Sequence, residues 1–526
     1  MENIFTVIIL LAVVTALAQM TDKIRVPYPI LLVLAGMLIG FVPGLPHIEL
    51  DPDLVFLIFL PPVLYAAAWT TSWPEFKAAR RSISLLAIGC VLFTTTMVAV
   101  VAYYWIPEFG WAEAFVLGAI ISPPDAVAAT AATQGLNLPK RVITILEGES
   151  LVNDATGLIA YRYAIATTAT GTFIFWLATI NFFYVAGVGI LIGLAIGYLF
   201  YWIHRMTPDN PTADTTLTFL APYTSYLVAE HFHTSGVLSV VTCGLFLSWF
   251  SSEIINHESR LQAQFVWSTV IFLLNGLIFI LIGLQLPVVL DNIKEHSLWS
   301  LLWYGFLVSL ATIVVRILWV FPGAYLPRWV SRKIRENEPD TNPRLVTVVA
   351  WSGMRGIVSL AAALALPLMS GDKPFPNRDL IIFLTFCVIF ATLVLQGLTL
   401  RPLIRWLGIK ADEREMRHEQ DVRMHIASTI IEHIEENYAL TLTDKVLGQV
   451  KAKYEIQIQR LRKDDTAARL SPEQIREFLN VQRDLVATER RLLITLKKQG
   501  RINDEAMRKI EHELDLEESR LLLELE

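Results

Sequence analysis

The residues best placed to do chemistry lie in one helix-length apolar stretch, Leu146-Glu-Gly-Glu-Ser-Leu-Val-Asn-Asp-Ala-Thr-Gly157 and on to Tyr161. At helical spacing Ser150, Asp154 and Gly157 share a face, with Asn153 at its edge. Asp154 lies 13 residues beyond Arg141, which is about 20 Å along a helix axis and therefore near mid-bilayer. A carboxylate at that depth costs at least about 2.5–3.5 kcal/mol and so needs a partner and a task. The bland alternative is an acid neutralised by a fixed arginine and kept for packing. A second acid, Asp125, lies 14 residues into the preceding apolar stretch, which starts at Trp111. On consecutive antiparallel helices the two acids reach the same depth. Close carboxylates repel, so the pair holds a proton readily, and a monovalent cation relieves the same repulsion. Hard alkali cations suit oxygen ligands, which Asp125, Asp154, Ser150, Asn153 and nearby backbone carbonyls can supply. Proton and cation then compete for one set of oxygens, the chemistry of exchange. Any metal held by Asp154, Asp125 and Ser150 is sodium or potassium in transit.

These residues must be held by membrane-spanning helices. The 526-residue chain is 54% hydrophobic with a mean hydropathy of +0.50, which excludes an ordinary soluble enzyme. Residues 1–410 carry 23 Lys+Arg and 24 Asp+Glu, whereas residues 411–526 carry 20 and 25. The reading is a membrane domain over 1–410 and a cytoplasmic helical domain over 411–526. Thirteen apolar spans run roughly over 4–20, 27–42, 53–70, 82–105, 111–134, 141–167, 174–203, 214–231, 235–252, 263–288, 298–325, 344–370 and 379–407. One set of loops holds 14 Lys+Arg, among them Lys140, Arg141 and Arg260; the other holds Lys294, Lys373 and Arg378. The positive-inside rule then puts the N-terminus outside and the tail in the cytoplasm. Ala16-Leu17-Ala18 resembles a signal cleavage site, but no basic residue precedes the apolar run, so retention is expected.

Thirteen spans divide as six, one and six, and the two sixes have opposite orientation. Inverted-repeat transporters place their site where discontinuous helices occupy matching positions. The fifth span of the first half contains Ser122-Pro123-Pro124-Asp125; the fifth of the second contains Ser352-Gly353-Met354-Arg355-Gly356. Prolines 123 and 124 remove two backbone donors, and Gly353 and Gly356 flank a charge, so helices five and twelve are expected to be broken. The fold expected is thus an all-α polytopic membrane protein: 13 transmembrane helices in two inverted six-helix repeats, plus the tail.

Two intramembrane arginines, Arg316 and Arg355, need partners. Glu149 lies about 140° round its helix from Asp154 and should face another helix rather than an ion. A structural Glu149–Arg316 pair is the first choice and Glu149–Arg355 the second; Arg355 could also compensate the dipoles of its own broken helix. Glu147, Arg162, Glu230, His231 and His233 sit near span ends, where interfacial solvation suffices. Asn275 and Gln285 read as helix–helix hydrogen bonds. Tyr103, Trp105, Trp111, Trp249 and Trp303 read as interface anchors. Cys90, Cys243 and Cys387 sit singly in apolar spans, which argues against disulfides and thiolate metal sites. No nucleotide motif or basic run appears, so neither a cofactor nor a nucleic-acid partner is expected. In the tail, Ser471-Pro472-Glu473-Gln474 is a capping-box start, followed by an apolar stripe of Ile475, Phe478, Leu479, Val486, Leu493 and Leu496.

Glu147-Gly-Glu-Ser-Leu-Val-Asn-Asp154 resembles the sixth-helix Asn-Asp motif of the monovalent cation:proton antiporter family, which includes bacterial sodium/proton antiporters and animal sodium/proton exchangers. The resemblance covers about residues 1–410. It implies that Asp154 is the essential carrier, Ser150 a cation ligand, and Glu149 the partner of a helix-eleven arginine, here Arg316. Asn153 stands where electrogenic relatives carry a second Asp, which implies electroneutral exchange. Trp351-Ser-Gly-Met-Arg-Gly-Ile-Val-Ser359 is similar to the family's glycine–arginine–glycine segment. Two departures stand out. The family's Thr-Asp-Pro is here Pro124-Asp125-Ala126, and Ala66, after Leu60-Pro-Pro-Val-Leu-Tyr65, sits where many relatives carry an acid. The resemblance further implies a homodimer in the plasma membrane, a moving core of spans four to six and eleven to thirteen, and control of internal pH and sodium. An intramembrane aspartyl protease would need a Gly-x-Gly-Asp context, and Asp154 follows Val-Asn; a potassium-type channel would need a carbonyl-filter sequence, which is absent.

Overall fold

The computed structural model describes residues 2–24, 26–42, 55–107, 109–133, 136, 138–170, 175–207, 210–293, 297–337, 342–370, 373–409, 413–438, 448, 451–452, 454–455, 458, 472–499, 510 and 513–520. The Ser471 cap, the side chains of Ile475, Phe478, Leu479 and Leu496, and residues Lys294, Lys410 and Ala411 lie outside them. The chain forms two compact units, Met1–Ala411 and Asp412–Glu526.

Helices of the first unit are α1 (Glu2–Ile24), α2 (Tyr28–Gly40), α3 (Leu60–Thr70), α4 (Trp73–Ser84), α5 (Val91–Trp105), α6 (Trp111–Ile121), α7 (Ala126–Thr133), α8 (Lys140–Thr170) and α9 (Phe175–Met206). They continue as α10 (Pro211–His231), α11 (Gly236–Ile254), α12 (His257–Asn292), α13 (Leu298–Val330), α14 (Arg332–Asn337), α15 (Pro343–Trp351), α16 (Ile357–Leu364) and α17 (Arg378–Leu407). Six helical stretches among the described residues are long and apolar enough to cross a bilayer, including Trp73–Trp105, His257–Leu290 and Arg378–Leu407. Among the described residues the strand content is one small pairing: Met369–Ser370 runs antiparallel to Lys373–Pro374. Pro367, Pro374 and Pro376 deny this connection a helix.

Small residues bring the helices together, as expected where lipid removes any hydrophobic drive between them. A Cβ on Gly36 of α2 would overlap the Ile280 carbonyl of α12, and one on Gly283 of α12 would overlap the Val33 carbonyl of α2. Gly189, Gly193 and Gly197 give α9 a smooth strip at i, i+4, i+8 that lies on Ser239 and Phe246 of α11 and on its N-cap, Ser235. A buried polar joint ties three helices: Asp214 of α10 accepts from Ser259 of α12 at 2.7 Å and meets His204 Nδ1 of α9 at 3.0 Å. Tyr103, Trp105, Trp111, Trp249 and Trp303 are all exposed on the outside of the bundle, and the three cysteines are free.

Two π-helical turns have visible causes. Val55–Phe59 precedes Pro61 and Pro62; Pro62 has no N–H for the Ile58 carbonyl, which takes the Tyr223 hydroxyl at 3.2 Å instead. Leu85–Cys90 widens where the Trp319 ring lies against Gly89, and the indole N–H donates to the Leu85 carbonyl at 3.0 Å.

The second unit contains α18 (Glu413–Tyr438) and α19 (Pro472–Lys498). Ala427 and Ile434 are buried on α18, and Val486 and Leu493 on α19, each pair seven residues apart on one helix face. Arg490 is clamped by Asp515 and Glu518, both at 2.8 Å. Those hydrogen bonds push its guanidinium above the usual arginine range, so it stays charged at any physiological pH.

Candidate functional site

The site is built where two interrupted helices meet. Between α6 and α7 the chain leaves helical geometry over 122–125, and between α15 and α16 over 352–356. Each break frees backbone groups that lipid cannot satisfy, and several of them can be followed to a partner. Pro123 offers no N–H to the Ala119 carbonyl, which takes the Ser122 hydroxyl at 3.1 Å. The Asp125 N–H would reach back to Ile121 in a continuous helix. It donates instead to the Met354 carbonyl at 2.7 Å, linking one break to the other. The Ile121 carbonyl so released accepts from Arg355 Nε at 3.0 Å. Arg355 also donates to the Gly353 carbonyl, and its own N–H goes to Thr392 at 3.1 Å. The Pro124 carbonyl accepts from the Asn153 amide at 2.8 Å.

Arg316 takes both oxygens of Glu149, at 2.6 and 2.8 Å, and donates to the Val349 carbonyl at 3.1 Å. The two side chains are 1% and 2% exposed. Arg355 forms no ion pair with Glu149: its side chain donates to the end of α6 and to its own break, where partial negative charge collects on the freed carbonyls. Glycine is required at two points. A Cβ at Gly353 would overlap the Arg316 side chain, and one at Gly356 would overlap the Asp125 carboxylate. Gly157 of α8 lies against Pro123, so the α8 face carrying Ser150, Asp154 and Gly157 is turned to the first break.

Asp125 and Asp154 line one cavity of about 990 Å³. That is room for about 30 waters at bulk density. Asp154 is 7% exposed and is the fifteenth of the 31 residues of α8. Asp125 caps α7, its Oδ1 accepting from the Val127 N–H at 2.8 Å. Ser150, Pro123, Pro124 and Gly356 are on the same wall. Tyr28, Tyr65, Ala66, Thr130, Asn275 and Ser359 line it too, and at the helix ends it reaches Glu147 and Arg260. Glu149 and Asn153 lie behind the wall, one held by Arg316 and the other by Pro124. Asn153, expected among the ligands, spends its amide N–H on the break, and its Oδ1 has no hydrogen-bond partner. Arg162 and Glu230, expected to be merely solvated, pair with each other at 2.8 Å. Tyr65 and Ser359 were not singled out by sequence reasoning, though both fall inside segments it quoted. The available signal was the spacing of Ser359, one turn beyond Gly356. Among the described residues no cluster of three or more His, Cys, Asp or Glu could hold a resident metal.

One acid at mid-helix and one in a helix break, on a shared cavity where two broken helices meet, suit a membrane ion carrier. Residues 8–406 match the family described as "Sodium/hydrogen exchanger, transmembrane", and the chain belongs to that family. It is a multi-pass membrane protein and an antiporter of the sodium/proton exchange type. An uncharacterized Na(+)/H(+) exchanger of Escherichia coli (strain K12) is 30% identical, with 100% of each chain covered. A sodium, potassium, lithium and rubidium/H(+) antiporter of Bacillus pumilus is 35% identical over 77% of this chain and 61% of its own. The solved sodium proton antiporter of Methanocaldococcus jannaschii shares the fold, with TM-score 0.61 and 20% identity over 77% of this chain and 99% of that one.

Proposed function

We propose that this chain exchanges a monovalent cation, sodium ahead of potassium and lithium, for a proton across the plasma membrane, with Asp154 as the shared carrier. The observation that carries the reading is the common cavity of Asp154 and Asp125 beside the crossed breaks. Asp125 and Ser150 add oxygens to the cation, and Asn153 holds the break. Asn153 stands where electrogenic relatives carry a second Asp, and by that resemblance one proton on Asp154 is exchanged for one cation and the cycle is electroneutral. Thirteen crossings as two inverted six-helix halves, with the N-terminus outside and the tail in the cytoplasm, complete the architecture. In that orientation Glu147 and Arg260 mark the cytoplasmic end of the cavity lining. The broken helices would move as part of a core bundle against a dimerising scaffold, giving alternating access in a homodimer that adjusts internal pH and sodium. The Bacillus pumilus relative is named for potassium, lithium and rubidium as well as sodium, which supports a site tolerant of several alkali cations.

Competition for one site fixes the sign of the pH dependence. A proton bound to the acids excludes the cation, so below the titration of the site each unit of falling pH raises the apparent KM for sodium about tenfold. Fluorescence dequenching in everted vesicles, titrated with sodium and then potassium between about pH 6 and 9, measures this. A KM independent of pH, or a flux that never saturates, contradicts exchange at a shared site.

A further inference from the structure

We propose that Ser359 is a ligand of the transported cation, contributed by the second broken helix, and that its hydroxyl helps set alkali-cation preference. The proposal rests on the antiporter reading above and adds a residue to its site.

Most buried Ser and Thr hydroxyls in this bundle bond to their own helix and a few, such as Ser259 and Ser239, to another; among the described residues Thr215 and Ser359 are left without a partner, and of these two Ser359 lines the cavity. Thr95 donates to Val91, Ser309 to Gly305, Ser352 to Val348, Thr385 to Ile381 and Thr392 to Val388, all at 2.7–2.8 Å. This back-bonding is the ordinary fate of a helical Ser or Thr in apolar surroundings. Ser359 departs from it. The residue is 1% exposed, its Oγ has no hydrogen-bond partner, and it lines the cavity that holds Asp125 and Asp154. Its position is one helical turn beyond Gly356, the residue against which the Asp125 carboxylate packs. Arg355, four residues earlier, is committed to the Ile121 and Gly353 carbonyls. A buried hydroxyl left unpaired at such a place is costly unless a guest completes it.

The chemistry of the guest follows from the wall. Two carboxylates supply charge, and a neutral hydroxyl adds a hard oxygen without adding charge, as a dehydrating alkali cation requires. Tyr65, also 1% exposed with an unpartnered hydroxyl, lines the cavity from α3 and offers a further neutral oxygen. Smaller ions lose more hydration free energy on entering, so loss of a protein oxygen weighs most on lithium and sodium and least on potassium.

The test is cation-driven proton movement in everted vesicles with lithium, sodium and potassium, for wild type, Ser359→Ala, Ser359→Thr and Asp154→Asn. The expected result is an apparent KM for sodium and lithium raised about tenfold in Ser359→Ala, a smaller rise for potassium, maximal rates within about twofold, and recovery in Ser359→Thr. If Ser359→Ala leaves all three KM values unchanged, or lowers only the maximal rate, the hydroxyl is not a ligand. When wild type exchanges and Asp154→Asn does not, that failure is of the Ser359 proposal alone. When no cation drives protons in wild type, the antiporter reading fails and this proposal with it.

Discussion

Asp154→Asn is expected to lower cation-driven proton exchange below about 1% of wild type, a loss equivalent to about 2.7 kcal/mol in barrier. The amide keeps the shape of the side chain but can neither take up a proton nor neutralise a cation. Asp154 stands midway along α8, on the wall of a cavity shared with Asp125. Asp125 cannot simply replace it, because its carboxylate already caps α7 and packs on Gly356. The same vesicle assay decides the matter, with membrane insertion checked by the intensity of a fused fluorescent reporter. A variant that inserts normally and exchanges at the wild-type rate would remove Asp154 from the mechanism.

The second large effect concerns stability. Glu149 and Arg316 form a two-pronged pair sealed from solvent. Removing either partner leaves a bare charge among apolar helices, at a cost of about 3–5 kcal/mol. Arg316→Met is expected to lower the melting midpoint of the detergent-purified protein sharply, and Glu149→Gln to do so nearly as much. The double variant should be more stable than the sum of the two losses, since it strands no charge. Purely additive losses would mean that the pair is not coupled. Arg316 also steadies the Val349 carbonyl near the second break, so full recovery is not expected.

Much of this site was legible before any coordinates. Equal depth of Asp125 and Asp154 follows from residue counts along two antiparallel helices. Prolines 123 and 124 announce a break because they lack donors, and the rotation of Glu149 away from Asp154 follows from helical period. What remained open were choices between neighbours that only packing makes. The period could not say whether Arg316 or Arg355 would meet Glu149, because both lie in spans of the same half. Asn153 stands about 100° from Asp154 on the helix, and a modest rotation of α8 decides whether its amide meets an ion or the Pro124 carbonyl. The link from Asp125 N–H to Met354 joins residues far apart in sequence, and no local pattern encodes it. Ser359 was hidden for a related reason: back-bonding and cavity-facing serines look identical in sequence. The second unit was legible only as helix. Ala427, Ile434, Val486 and Leu493 mark buried faces there, without specifying a ligand.

In the proposed cycle one carboxylate site holds either a proton or an alkali cation and never both. Its most direct test is the number of protons released when sodium binds to the purified protein, obtained by calorimetry in buffers of different ionisation enthalpy near the pH where the site titrates. The expected result is about one proton released per sodium bound, and neither binding nor release in Asp154→Asn. Sodium binding without proton release would contradict it.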